Sequence, residues 1–338
     1  MARAATLRGL VSIAAAEGGR HVRASGQRWD AGWRGFRAGP SGSRGRAASR
    51  GSSPSSARRP GPRRGVAASS GCKGWVSGGF QSEDGNLTCG YSSYKGRRST
   101  MEDCYDIKLT KIDGQPVNLF GVFDGHGGNL AAEYLKDNLF KNLMKHPEFL
   151  KDTKLAISRT FLQTDEDILE TISSPFRDDG STALAAVLIG NHLYVANVGD
   201  SRAVASKAGK AVPLSKDHKP NRKDERKRIE DAGGVVIFDD TWRVGGILAM
   251  SRAFGNRLLK QYVKAEPDIE EEEVNSDMEY LILATDGLWD VVRNEDAVAL
   301  LKAEDGPQAA AVKLTEIAYS RQSADNITCI VVQFHDEK

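Results

Sequence analysis

From residue 105 onward the chain alternates between short apolar runs closed by Gly, Asp or Asn and longer stretches in which apolar residues return every three or four positions. The first kind reads as strands and the second as amphipathic helices. Strands are predicted over 105–109 and 117–123, joined by a turn at Asp113-Gly114. Helical spacing follows in Leu130, Tyr134, Leu135, Leu139, Leu143 and Met144, and again over 155–172. A dense β region comes next, with strands at 181–189, 193–198 and 202–206, separated by turns at Gly190-Asn191 and Gly199-Asp200-Ser201. Connections this short predict antiparallel neighbours throughout. Another buried strand runs over 280–285, helices are predicted near 295–302 and 307–319, and a last strand covers 327–334.

This patterning stops short of the N-terminus. Residues 1–72 hold fourteen Arg, no Lys and only two acids, Glu17 and Asp30, in a Ser-, Gly- and Ala-rich background with Pro54, Pro60 and Pro62. Too few apolar residues recur there to offset the entropy of ordering the chain, so a disordered basic segment is expected. Arg and Ser with almost no acid is also the composition of plastid and mitochondrial transit peptides. The competing readings are a plain basic tail, in a cytoplasmic and nuclear protein, and non-specific contact with nucleic acid. Order is expected to begin near Cys89, leaving 73–88 as a linker and 89–336 as one domain.

The overall charge of +2 conceals that asymmetry, because +12 in the first 72 residues leaves −10 for the rest. The globular part is acidic. The chain's four cysteines, Cys72, Cys89, Cys104 and Cys329, lack metal-binding spacing and fit a reducing compartment. No apolar run nears the roughly 18 residues of a membrane span. A basic cluster from Lys219 to Arg228, with acids interleaved, reads first as a solvated helix face and second as a flap that attracts anionic substrate.

The chemistry gathers at strand ends. The run Leu119-Phe120-Gly121-Val122-Phe123 closes on Asp124-Gly125-His126-Gly127-Gly128, and the strand over 280–285 closes on Asp286-Gly287. Asp325 stands just before the last strand, and Glu102 and Asp103 just before the strand at 105. Each Asp alone is commonly a turn residue. Carboxylates recurring at buried strand ends repel one another unless a cation joins them, and an all-oxygen set suits Mg²⁺ or Mn²⁺ better than zinc. Whether the strand ends align to bring Glu102 and Asp103 to that loop is not decided by the pattern.

Seven ordered motifs carry a family resemblance. They are Arg98-Ser99-Thr100-Met101-Glu102-Asp103, Phe123-Asp124-Gly125-His126-Gly127-Gly128, Gly180-Ser181-Thr182-Ala183, Gly199-Asp200-Ser201-Arg202, Ser251-Arg252-Ala253-Phe254-Gly255, Thr285-Asp286-Gly287-Leu288-Trp289-Asp290 and Asp325-Asn326-Ile327-Thr328. In this order they resemble the metal-dependent protein serine/threonine phosphatases of type 2C, over about residues 89–334. The wording of 241–246 through Tyr262-Val263 looks most like plant members.

The resemblance implies an α/β fold, a four-layer αββα sandwich of two antiparallel sheets flanked by helices, with a binuclear metal cleft at one end. It implies Asp124 as the acid bridging two ions of Mn²⁺ or Mg²⁺, the Gly125 carbonyl as a further ligand, and Asp286 and Asp325 as ligands to the second ion. Glu102 matches a position reaching its metal directly or through water, Asp103 one orienting metal-bound water, and Asp200 and Asp290 acids linked to a weaker third ion. The implied reaction is direct attack of a metal-bridging water on phosphoserine or phosphothreonine in proteins, with Arg98 gripping phosphate and His126 protonating the leaving oxygen. Phosphorylated proteins are the expected partners of a monomer. Asn256 departs from the Asp frequent at that position. A catalytically silent phosphoprotein-binding scaffold is the alternative, against which the complete acid set speaks.

Overall fold

A computed structural model describes residues 75–172 and 177–335. The basic segment read over 1–72, with Cys72, lies outside the described residues. Strands β1 (Trp75–Gln81), β2 (Leu87–Tyr94), β3 (Cys104–Ile112), β4 (Gln115–Phe123) and β5 (Gly125–His126) lead into helices α1 (Leu130–Lys145) and α2 (Thr153–Thr171). Strands β6 (Gly180–Ser181), β7 (Ala183–Ile189), β8 (His192–Val198), β9 (Arg202–Lys207) and β10 (Lys210–Pro213) follow, then α3 (Lys223–Asp231). The chain continues through β11 (Val236–Asp239), β12 (Thr241–Val244), β13 (Phe254–Gly255), β14 (Asp268–Glu273) and β15 (Met278–Ala284). Helices α4 (Asp286–Trp289), α5 (Asn294–Leu301) and α6 (Pro307–Ser320) precede β16 (Ile327–Phe334).

Alternation along single strands builds the layers. On β4, Val117, Leu119 and Phe123 join a core with Leu135, Leu139 and Leu143 of α1 and Ile157 and Phe161 of α2. Phe120 and Val122, one position out of phase, face the other way into a core shared with Leu281 and Leu283 of β15 and Ile330 and Val332 of β16. On β16, Cys329 and Val331 turn to a third core with Ala297 of α5 and Leu314 of α6. Helices, sheet, sheet and helices therefore stack in four layers, the expected αββα sandwich. The two large sheets are wholly antiparallel, in the orders β1-β2-β16-β15-β9-β10 and β14-β8-β7-β4-β3. Burying each large apolar side chain contributes roughly 1.5–3 kcal/mol, and slipping β4 by one residue would swap its side chains between two differently shaped cores.

The β3–β4 hairpin forms as the pattern predicts. Ile112 faces Gln115 across the turn, and Asp113 and Gly114 both adopt positive φ, 52° and 83°, as a two-residue hairpin of this hand requires. The helices expected near 295–302 and 307–319 are α5 and α6. Cys89, Cys104 and Cys329 are all buried.

Two expectations need correction. Residues 73–88 are no linker over most of their length: β1 pairs with β2 along all of Trp75–Gln81. Gly78 and Gly79 disguise the strand in the sequence. Gly78 is needed because Tyr91 lies against β1, where a Cβ would sit 2.6 Å from its hydroxyl, and at Gly79 a Cβ would meet Gln308 and the Cys89 carbonyl at 3.0 and 3.1 Å. Similarly, β8 and β9 are not hairpin partners. The turn at Gly199-Asp200-Ser201 carries the chain from one large sheet to the other, where β9 pairs with β15 and β10. Gly199 takes φ 108°, which an L side chain rarely adopts, and a Cβ there would meet Thr182 at 2.5 Å.

Between β10 and β14, a smaller apolar cluster of Ile229, Val236, Val244, Leu248, Met250, Leu259 and Val263 holds α3 and the β11–β12 hairpin together.

Candidate active site

The acid-bearing strand ends meet because the hairpin is in register. Cys104 pairs with Phe123, which sets Glu102 and Asp103 beside Asp124. The amide of Gly125 donates to the Glu102 carbonyl at 3.2 Å, and a Cβ at residue 125 would lie 2.5 Å from that oxygen. The second sheet repeats the device. Ala284 pairs with Cys329, so Asp286 and Asp325 extend from adjacent strands, and a Cβ on Gly287 would lie 1.8 Å from the Asn326 carbonyl. In both places glycine serves close backbone approach beside a carboxylate.

Side chains then tie one sheet's end to the other's. The Thr285 hydroxyl donates to Asp103 at 3.0 Å, and the Glu102 amide donates to the Asn326 side-chain oxygen at 2.7 Å. Asn326 in turn donates to the carbonyls of Lys95 and Thr100. On the other flank the Asp124 amide donates to the Thr182 hydroxyl at 3.0 Å, and the Thr182 amide returns a bond to the Asp124 carbonyl. These polar clamps explain the threonines and the asparagine in the motifs.

The electrostatics of this end are unfavourable for the acids alone. Burial pushes the Asp124 carboxyl well above the usual carboxylate range, and the charges of Asp286, Asp103, Asp200 and Asp325 push it further. Burial likewise raises Asp286 well above that range, reinforced by Asp200 and Asp290. Asp103, 4% exposed, is raised by burial to about 7 despite hydrogen bonds with Thr328 and Thr285. Asp290 stands at the exposed rim, where partial desolvation, opposed by Lys219 and reinforced by Asp200, moves it upward. Asp200 Oδ1 and Asp286 Oδ1 are buried with no hydrogen-bond partner. An unpaired buried carboxylate oxygen is costly, and an ion with all-oxygen ligands is the partner that fits this donor set.

Among the described residues, no trio of His, Cys, Asp or Glu is drawn together as a ready-made metal cage. The acids are held by other groups instead. Arg98 Nη2 donates to Asp325 Oδ2 at 2.7 Å, and Lys219 Nζ donates to Asp200 Oδ2 at 2.6 Å. Burial works against the Lys219 ammonium, yet the charge of Asp200 outweighs it and its pKa rises. The solvated-face reading of the basic cluster is therefore only partly correct. Arg226 and Lys227 make exposed pairs with Glu230 and Asp231, but Lys219, Arg222 and Arg228 turn inward.

His126 lies on β5, which pairs with β6. Its Nε2 is 2.8 Å from Asn256 Oδ1, while the Asn256 amide nitrogen donates to the Asp178 carbonyl, so Nε2 carries the hydrogen between them. Nδ1 is buried without a partner, and burial lowers the His126 pKa. A Cβ on Gly180 would strike both Asn256 Oδ1 and His126 Nε2, at 2.2 and 2.3 Å. Asn256 thus departs from the frequent Asp at a position that touches His126, a consequence the sequence reading missed. Lys219, Thr182 and Asn326 were also missed as parts of the site, because their partners lie far away in sequence. Conversely, two motif arginines are architectural: Arg202 makes a two-bond pair with Asp217, and Arg252 one with Glu225.

A protein phosphatase 2C family model matches residues 87–327. The chain belongs to the protein phosphatase 2C family. It is similar to "Probable protein phosphatase 2C 56" of Oryza sativa subsp. japonica, 64% identical over 354 residues that cover 100% of this chain and 99% of that one. "Probable protein phosphatase 2C member 13, mitochondrial" of the same plant is 73% identical over 268 residues, covering 79% and 74%. Among solved structures, a serine-threonine phosphatase 2C from Toxoplasma gondii aligns with TM-score 0.67 and 26% identity, covering 77% of this chain and 99% of that one. This type 2C phosphatase is a metal-dependent protein serine/threonine phosphatase, most like plant members. Nothing in these relatives favours a catalytically silent scaffold. Among the described residues, no helix of the phosphatase is long and apolar enough to cross a membrane.

Proposed function

We propose that this phosphatase hydrolyses phosphoserine and phosphothreonine in proteins by direct attack of water, with two ions of Mn²⁺ or Mg²⁺ at the acid end of the sandwich. The observation that carries this reading is that the ends of the two large sheets meet, Thr285 after β15 bonding Asp103 before β3, with the neighbouring Asp286 Oδ1 buried and without a hydrogen-bond partner. Asp124, the Gly125 carbonyl, Asp286 and Asp325 would hold the ions, with Glu102 and Asp103 beside them and Asp200 and Asp290 toward a weaker third. When bound, such ions supply Lewis acidity, lowering the pKa of water and offsetting phosphate charge.

The remaining steps fall to the chain. Arg98 offers a planar fork of which Asp325 engages one donor, leaving the others for phosphate oxygens. Because Asn256 occupies Nε2 of His126, Nδ1 is the nitrogen that takes up and delivers a second proton. Burial makes that imidazolium a strong acid, suited to protonating a basic serine or threonine oxygen as it leaves. The test is the purified full chain on a phosphothreonine peptide with Mn²⁺, with Mg²⁺ and with chelator, alongside a phosphotyrosine peptide. Turnover that survives exhaustive chelation, or that prefers phosphotyrosine, would sink the reading.

We further propose that the chain acts as a monomer in an organelle, the mitochondrion before the plastid. The basic, acid-poor composition of residues 1–72 supports the targeting, as does the word mitochondrial in the name of the rice relative that is 73% identical. A fluorescent fusion of residues 1–72 spread evenly through cytosol and nucleus would reject the targeting, and a dimer mass in solution the monomer.

A further inference from the structure

The Gly199-Asp200 turn is matched, residue against residue, by His218-Lys219. The His218 amide donates to the Gly199 carbonyl at 2.9 Å, and the Gly199 amide donates to His218 Nδ1 at 3.1 Å. That two-bond ladder fixes where the next residue on each side falls: Lys219 Nζ lies 2.6 Å from Asp200 Oδ2. The ladder is itself anchored, because His218 is fully buried, its Nε2 is 3.1 Å from Asp268 Oδ2, and its carbonyl accepts from the Ser251 amide. Asp200 is 2% exposed, and its other oxygen, Oδ1, is buried with no partner. The charges of Asp286 and Asp290 also reach Lys219.

From this geometry we infer that Lys219 is the resident cation at Asp200, a positioning residue whose ammonium holds that acid and competes with a divalent ion for it. The inference rests on reading Asp200 as a ligand to a weaker third ion. An ammonium is a single charge on a flexible stem, which a divalent ion can displace; Lys219, 37% exposed along its side chain, has solvent to swing into. Asp200 is thereby kept oriented and partly neutralised, and the third ion binds only by displacing a built-in competitor. Its weakness becomes a property of residue 219.

The test is Mn²⁺ binding to the full chain, by titration calorimetry and by the paramagnetic resonance of free Mn²⁺. Lys219→Gln should tighten the weakest binding event about tenfold or more, since a competing charge in near contact is removed. Lys219→Arg, which keeps the charge, should not tighten it. Lys219→Met, which keeps the apolar stem, carries the same expectation should the Gln variant fold poorly, with melting temperature and circular dichroism recorded for each. The sign is diagnostic, because a merely structural loss weakens binding. Asp200→Asn should abolish the weakest event whatever stands at 219. If it does so while Lys219→Gln and Lys219→Met leave affinity unchanged or lower, the role of Lys219 is overturned and the third-ion reading stands. If Asp200→Asn keeps every event, both fall.

Discussion

This fold holds two sets of carboxylates drawn out of water, and they are treated in opposite ways. Around Glu225, which is 2% exposed, the chain supplies its own cations. Arg252 makes two hydrogen bonds to Glu225 and bonds Asp268, Arg228 bonds Glu225, and Arg222 and His218 bond Asp268. Burial alone would push Glu225 up, but Arg252 and Arg228 overcome it and bring its carboxyl down to about 2. At the strand ends, Asp124, Asp286 and Asp103 have no such cations in contact among the described residues and are all pushed upward. Neutralised inside the chain, buried charge is architecture; left unneutralised, it is a site that needs something from outside.

The two histidines in these sets show the same division. His218 has both ring nitrogens engaged, by Gly199 and Asp268, whereas His126 has Nδ1 buried and unpartnered. Burial lowers the pKa of each. Only His126 has a nitrogen to spare for a proton in transit.

The largest effect that would sharpen this division is expected from Asp124→Asn. Turnover should fall on the order of 10³-fold or more, beyond the 10–100-fold typical of groups that merely support a metal ligand. The metal-free protein should at the same time melt higher, because one member of a mutually repelling set is gone. A variant that loses turnover and also melts lower without metal would place Asp124 with the architectural set.

Next in size is His126→Ala, expected to slow hydrolysis of a phosphoserine peptide by roughly 10²–10⁴-fold, with a clearly smaller loss on p-nitrophenyl phosphate, whose leaving group needs no proton. Equal losses on both, with Mn²⁺ affinity falling in parallel, would make His126 a support for the Asp124 loop. Arg252→Met tests the other set. It leaves Glu225 buried without its main partner, which costs about 3–5 kcal/mol of stability. Denaturant titration should show that loss while Mn²⁺ affinity of the folded protein holds, and a variant of unchanged stability would erase the contrast.

Which set a residue belongs to was unevenly legible in the sequence. Asp124 and Asp286 could be read because each ends a run of buried apolar residues, and a strand end is a local signal. The four layers came with the family resemblance, the individual strands from alternation, and the hairpin at Asp113-Gly114 from turn chemistry. What could not be read was pairing across distance. Arg252 meets Glu225 across 27 residues and Arg222 meets Asp268 across 46, so part of a charged cluster that reads as a solvated face turns inward onto distant acids. The passage of β8 into β9 between sheets was hidden for a similar reason. A three-residue turn locally resembles a hairpin, and only the partner strand β15 shows otherwise. Asn256 reads as a departure at a position that is no core metal ligand, yet its amide fixes which nitrogen of His126 is left over.

The smallest expected effect, and the one that joins both sets, is on how the metal-free protein's stability varies with pH. Glu225 has a folded pKa below its unfolded one, so its contribution, on the order of 3 kcal/mol, is fully present above about pH 4.5 and is lost as pH falls toward 2. Asp103 has the opposite sign. Its folded pKa, about 7, lies above the unfolded value near 3.9, so the folded state holds the extra proton between them and stability declines as pH rises through that window. Asp124 and Asp286 act in the same direction. The metal-free chain should therefore be most stable near pH 4–5, below the neutral range usual for folded proteins. Saturating Mn²⁺ should move that optimum upward, because an ion that takes the deprotonated acids removes the penalty on the alkaline side and leaves the acid limb in place. Arg252→Met should flatten only the acid limb, and Asp124→Asn should soften only the alkaline one. Chemical denaturation from pH 3 to 8, with and without Mn²⁺, reads all of these together. A metal-free optimum already near neutrality, unmoved by Mn²⁺, would mean that the chain neutralises its strand-end acids as fully as it neutralises Glu225.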